Sequence, residues 1–206
     1  TATIIPILIG AAWLTTRGLE AFPWLNFVLA LVGAGALHVA ANCFNDYFDW
    51  KSGTDPANND YFQQFTGGSR AIELGLISLD GMFRLAVSAA AVATLCGAIL
   101  TWRAGLGILA FGLAGLFSAY FYTAPPLRLV ARKGLGELLV ALNFGPLMTA
   151  GTTYALTGIV RWTDFLIGLP VGLLTSAILW INEYPDAPSD AATGKNHLVV
   201  VLGKRA

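Results

Sequence analysis

The chain has 206 residues, 56% of them hydrophobic and 12% charged, with a formal net charge of zero and a mean hydropathy of +0.66. That balance excludes an ordinary water-soluble globular domain, whose charged fraction is about twice as large. The absence of a basic excess excludes a nucleic-acid binder.

A helix crosses the hydrocarbon layer with roughly 20 apolar residues. In chain order, apolar runs cover 2–14, 24–48, 83–102, 106–122, 136–156 and 165–181. These predict six spans of an all-α, polytopic transmembrane helix bundle. The first run opens abruptly at Thr1 with no initiating Met or basic flank, and VVVLGKRA stops just after an apolar restart. Both ends therefore read as cut from a longer chain, and neither resembles a signal peptide. Cys43 and Cys96 lie in apolar segments without a CxxC or Cys/His cluster. They read as buried, inert thiols.

Sorting the cations by alternate loops puts Lys51, Arg70, Arg84, Arg128, Arg132, Lys133, Lys195, Lys204 and Arg205 on one side. Arg17, Arg103 and Arg161 fall on the other. The first side is expected to be cytoplasmic. Trp13, Trp24, Trp102 and Trp162 fall at span ends on the opposite side, where an amphipathic ring suits the headgroup layer. The connections on that side, TRGLEAFP, RAG and TGIVRWTD, are short and chemically plain, and no active site is expected there.

The cytoplasmic connections are richer. The second run ends in NCFNDYFDW (42–50), where Asn42, Asp46 and Asp49 recur at i, i+4 and i+7. At 3.6 residues per turn this predicts one helix face carrying all three, leaving Phe44 and Phe48 to lipid or a neighbouring helix. The sixth run ends in INEYPDAPSD (181–190), where Asn182, Asp186 and Asp190 repeat the pattern at i, i+4 and i+8. Pro185 and Pro188 predict a kink or a new first turn there.

A single Asp near a span end ordinarily caps a helix at the water boundary. Two clusters of the same composition on one side of the membrane suggest more, because carboxylates at membrane depth face a partner or a water-filled cavity. Asp46, Asp49, Asp186 and Asp190 therefore require a shared cation. Carboxylate and amide oxygens suit Mg²⁺, which takes one or two carboxylates plus waters and substrate phosphate oxygens. The pairing suggests two such ions bridged by a diphosphate.

NDYFDWKSGTD (45–55) and NEYPDAPSDAATGKNHLVVVLG (182–203) resemble the two Asp-rich motifs of the UbiA superfamily of intramembrane prenyltransferases. YTAPPLRLVARKGLGELL (122–139) resembles that family's Tyr-Pro-rich loop and Gly-Leu-Gly-Glu helix start, and TGGSR (66–70) its basic segment after the first motif. The resemblance spans nearly all of 1–206 as a single prenyltransferase domain, with six of the family's nine helices visible. It implies transfer of a prenyl chain from a polyprenyl diphosphate to an aromatic acceptor. Metals held by Asp46, Asp49, Asp186 and Asp190, oriented by Asn42 and Asn182, would stabilise the departing diphosphate.

Lys51, Arg70, Arg128 and Lys195 are candidate second anchors for phosphate oxygens, each with an ordinary positive-inside role as the alternative. Arg70 follows the flexible TGGS run and is expected to act as part of a lid. Arg132 and Lys133 read as topological. The resemblance makes Tyr122 an active-site ring facing an allylic cation. The Gly/Ala-rich LVGAGALHVAA and GILAFGLAGLFSAY permit close helix packing and room for a lipid tail. His38, Tyr61 and Asn143 are minor candidates on the substrate side.

The form of the two Asp-rich motifs resembles the branch that prenylates 1,4-dihydroxy-2-naphthoate in menaquinone synthesis. 4-Hydroxybenzoate, homogentisate, a chlorophyllide or a glycerol phosphate backbone are the alternative acceptors. The competing class is a cation transporter, which predicts acids in mid-span or inverted repeats. Apart from substrate, acceptor and the lipid bilayer, the sequence implies no partner.

Overall fold

The computed structural model describes residues 2–18, 21–58 and 68–204. Tyr61, the first two residues of TGGSR and Arg205 lie outside the described residues. The regular elements are helices: α1 (Ile4–Thr15), α2 (Trp24–Ser52), α3 (Thr54–Ala57), α4 (Leu79–Ala104), α5 (Gly107–Phe121), α6 (Leu135–Leu142), α7 (Met148–Thr157), α8 (Trp162–Leu166), α9 (Leu169–Ala192) and α10 (Leu198–Leu202). A 3₁₀ turn covers Leu129–Ala131 and a π turn Asn143–Leu147, and Arg132 and Asn196 form an isolated parallel bridge.

Three stretches are long and apolar enough to cross a membrane: α2, α4 and the Trp162–Ala192 run formed by α8 and α9. α1 and α5 are apolar but shorter. The 136–156 run is helical throughout, with the π turn joining α6 to α7. Pro146 sits inside that turn, where its missing N–H and its ring would clash with an unbroken i→i−4 ladder. Trp24, Trp102 and Trp162 project from helix ends, and Leu173, Leu174, Ile178 and Ile181 stand exposed along α9. With no water in the bilayer core, every spanning backbone group must be satisfied within the protein, which helices achieve. The chain is an integral membrane protein.

α2 starts after Pro23 and ends at Gly53, whose φ of 82° provides the left-handed C-terminal turn. It packs most extensively on α4, burying Ala40, Cys43, Phe44, Met82 and Ala86 together. Phe44 meets Phe83 and Tyr120 with ring centroids 6.1 and 5.2 Å apart, so it faces neighbouring helices rather than lipid. Cys43 and Cys96 are both free and buried.

α9 extends well past 181 and runs unbroken to Ala192 with Pro185 and Pro188 inside it. The two prolines remove backbone donors without ending the helix, so Asp186 and Asp190 share one helix with Asn182 instead of starting a new turn. At its other end, α9 crosses the π turn with backbone nearly touching backbone. A Cβ built on Gly145 would lie 2.7 Å from the Cα of Gly172. Gly172→Val is expected to destabilise the bundle by about 3 kcal/mol through overpacking, read as a lower thermal midpoint in detergent.

The end of the bundle away from the acidic motifs is held by Asp164, which is fully buried. Its carboxylate pairs with Arg17 and accepts from Trp13 Nε1 at 3.0 Å and from the Arg161 backbone N–H at 2.8 Å. Arg17 also donates to Thr163 Oγ1 at 2.9 Å, so α1 is tied to α8. Arg17→Met leaves a buried carboxylate without its charge partner and is expected to cost about 3–5 kcal/mol. Thermal unfolding of the purified variant checks this.

Candidate active site

A cavity of about 830 Å³ opens among α2, α5, α6, the π turn and α9. Its apolar wall includes Ala34, Leu37, Ala119, Phe144, Met148 and Ile178, and its polar side carries Asn42 and Asp49 of the first acidic cluster and Asn182, Asp186 and Asp190 of the second. Ala34 and Gly115, from the Gly/Ala-rich stretches, are among the small residues that leave this space. His38 lines it too, with its Nδ1 in hydrogen-bond contact with Thr3 Oγ1 and its ring 4.9 Å from Phe144. Asn143, also in the wall, donates to Ser118 Oγ at 3.1 Å and to the Leu139 carbonyl at 2.8 Å.

On α2, Asn42, Asn45 and Asp49 line the cavity, whereas Asp46 faces a small neighbouring recess with Trp50, Asp55, Ser69 and Arg70. The helix explains the split. At about 100° per residue, Asp46 sits roughly 60° around the axis from Asp49, while Asn45 falls on the other side of Asp49. Asp46 is engaged by Ser69, whose backbone N–H lies 3.4 Å from Oδ1 and whose hydroxyl donates to Oδ2. Gly68 permits that approach: its φ is 68°, and a Cβ there would lie 2.9 Å from Asp46 Oδ1. Arg70 follows at φ 54°, pairs with Glu73 and donates to the Asn58 carbonyl at 3.2 Å.

On α9, Asn182, Glu183, Asp186 and Asp190 all line the cavity. Three contacts bring this cluster to the first. Lys195 Nζ lies 2.9 Å from Asp49 Oδ2 and 3.8 Å from Asp190 Oδ1. Asn58 Nδ2 donates to Asp186 Oδ1 at 2.8 Å, and Thr54 Oγ1 donates to Thr193 Oγ1 at 3.0 Å. Lys195 reaches this position because Gly194, at φ 73°, turns the chain back after α9, and the Lys195 N–H caps the Asp190 carbonyl at 2.8 Å. Burial alone would lower the Lys195 pKa, but Asp49 and Asp190 outweigh it and hold the ammonium well above its ordinary value. Burial, reinforced by Asp49, pushes Asp55 up to about 7.

Tyr122 caps α5 and lines the cavity, and its carbonyl accepts from the Val130 N–H at 2.9 Å, which folds the Pro-containing loop back over it. Arg70 and Lys195 also line the cavity. Among the described residues, Lys51 and Arg128 do not. Lys51 lies outward, 5.3 Å from the centre of the Tyr47 ring. Arg128 holds a left-handed backbone, φ 40°, ahead of the 3₁₀ turn. Asp55, Asn58, Ser69 and Glu183 also line the cavity, beyond the residues that the motif spacing marks. Asp55 and Glu183 lie within the motif stretches, and their acidity was the available signal. Ser69 lies within TGGSR, and Asn58 carries no signal, because only chain folding brings it to Asp186.

The oxygen donors fit a hard divalent cation. Asp49, Asp186 and Asp190 face the same space as the amides of Asn42, Asn45 and Asn182. Asp49 and Asp190 already converge on one ammonium, so a cation between them is compatible with the packing.

A helical membrane protein with two acidic clusters at one end of an apolar cavity is the class this architecture defines. The chain belongs to the UbiA prenyltransferase family, whose model matches residues 3–206. It is 30% identical over 203 residues to the 1,4-dihydroxy-2-naphthoate octaprenyltransferase of Mycobacterium tuberculosis, covering 97% of this chain and 65% of that protein. It is 31% identical over 204 residues to the Escherichia coli protein of the same name, covering 96% and 63%. It is 29% identical over 208 residues to the 2-carboxy-1,4-naphthoquinone phytyltransferase of Synechocystis, covering 100% and 63%. The chain thus spans a little under two thirds of these relatives. No solved structure is significantly similar to it.

Proposed function

We propose that the protein transfers a prenyl chain from a polyprenyl diphosphate to 1,4-dihydroxy-2-naphthoate, in the menaquinone pathway, in a Mg²⁺-dependent reaction on the cytoplasmic side of the membrane. The observation that carries this reading is the convergence of Asp49 and Asp190, from two separate motifs, on Lys195 beside an apolar cavity of about 830 Å³. The names of the relatives in Mycobacterium tuberculosis and Escherichia coli supply the acceptor.

Asp49, Asp186 and Asp190 would hold the metal from the cavity side, with Asp46 contributing from the recess and Asn42 and Asn182 orienting the diphosphate. Bound Mg²⁺ supplies Lewis-acid neutralisation of the charge that develops on the departing diphosphate. Lys195, kept charged by its two carboxylates, donates to a phosphate oxygen as the allylic carbon–oxygen bond breaks. Arg70, which lines the same cavity, adds a second donor to the diphosphate. The Tyr122 ring faces the allylic carbon and stabilises positive charge by its π face. The apolar wall holds the isoprenoid chain and keeps water from that carbon. The nucleophilic ring carbon of the acceptor then forms the new carbon–carbon bond and releases its proton.

The acceptor is tested by offering the full-length protein labelled geranylgeranyl diphosphate with 1,4-dihydroxy-2-naphthoate, 4-hydroxybenzoate and homogentisate in parallel. Product is expected from the naphthoate alone. Product only from another ring would refute the acceptor and leave prenyl transfer standing.

A further inference from the structure

Glu137 of α6, Glu183 of α9 and His197, just ahead of α10, meet at a point the proposed reaction does not use. One ligand atom from each lies within 4.8 Å of the others. The residues are 3%, 5% and 0% exposed. Glu137 Oε2, both Glu183 carboxylate oxygens and His197 Nδ1 are buried without a hydrogen-bond partner. His197 Nδ1 is 3.5 Å from Glu183 Oε2, too far for a good hydrogen bond.

The opposite atoms of two of these side chains are anchored. His197 Nε2 lies 2.9 Å from Asp190 Oδ2, and Glu137 Oε1 accepts the Leu198 N–H at 2.6 Å. These anchors leave Glu137 Oε2 and His197 Nδ1 for a shared ligand. Burying such groups without compensation is costly. Lys195, the nearby ammonium, is already committed to Asp49 and Asp190.

We propose that Glu137, Glu183 and His197 bind a divalent transition-metal ion, with Zn²⁺ the best match, at a second position that adjoins the Mg²⁺ cradle and touches it through Asp190. An imidazole nitrogen with two carboxylates is a zinc-type ligand set, whereas Mg²⁺ takes oxygen alone. Ligand atoms about 2.0–2.2 Å from a tetrahedral zinc lie roughly 3.4 Å apart, close to the 3.5 Å already separating His197 Nδ1 and Glu183 Oε2. The Asp190 contact to the other imidazole nitrogen is the carboxylate that orients a metal-bound histidine. The ion would fasten α6 to α9 and to the turn carrying Lys195, and through His197 it would position Asp190.

The test is metal content, independent of transfer activity. Tag-free full-length protein is equilibrated with Zn²⁺ in excess Mg²⁺ and desalted. It is expected to retain one Zn²⁺ per chain, with X-ray absorption at the zinc edge showing one imidazole among oxygen ligands. Glu137→Gln and His197→Gln are expected to lose the ion, Asp190→Asn to bind it about 10–100-fold more weakly, and Asp186→Asn to retain it. Absence of retained Zn²⁺ in the unmodified protein, equal retention in folded His197→Gln, or an absorption spectrum without imidazole would overturn the proposal. The absorption measurement needs no variant, so poor folding of the substitutions leaves the test decisive.

Discussion

Asp49→Asn and Asp186→Asn are each expected to slow prenyl transfer by about 10²–10³-fold, the loss typical of removing one transition-state charge contact in a preorganised site. Asn preserves the volume of the side chain and removes only its charge. Asp49 is 3% exposed and lies 2.9 Å from Lys195, so its loss leaves the ammonium with the more distant Asp190. Asp186 accepts from Asn58 at 2.8 Å, a contact the amide can keep. Initial rates at saturating Mg²⁺, with melting curves confirming intact folding, decide the matter. Unchanged rates in either folded variant would remove that residue from the cradle.

Lys195→Met carries the second large effect, on both binding and stability. Asp49 and Asp190 are each 3% exposed, and Lys195 approaches both from the same turn. Without the ammonium, two carboxylates from different helices face each other in a medium that screens poorly. The thermal midpoint is expected to fall in chelator and to recover when Mg²⁺ is added, because a bound cation replaces the lost charge and stabilises by mass action. Transfer is expected to drop about 10²-fold, with Lys195→Arg retaining part of it. A midpoint that is insensitive to Mg²⁺ would show that the carboxylates do not share a cation.

The helical architecture was legible in the apolar runs, since bilayer thickness sets their length. Less visible was the continuation of α9 through Pro185 and Pro188, because local propensity argues for a break and tertiary packing prevails. Helical spacing puts Asn42 and Asp49 on one face, and both line the cavity. It grouped Asp46 with them, though 60° of rotation suffices to turn that side chain to Ser69 instead. Charge and nearness in sequence point to Lys51 and Arg128, yet which way a cation points depends on contacts such as Tyr47 beside Lys51. The Glu137–Glu183–His197 cluster joins residues up to 60 positions apart. Each stood inside a motif stretch, but no periodicity links them, and only the packing of α6 on α9 brings them together.

Equilibrium binding of a polyprenyl diphosphate to the full-length protein, with Mg²⁺ and then with chelator, tests most directly whether the two acidic motifs form one diphosphate cradle. The account predicts tight binding that requires Mg²⁺ and is lost in both Asp49→Asn and Asp186→Asn. Equal binding in chelator, or binding that survives loss of either motif, would contradict it.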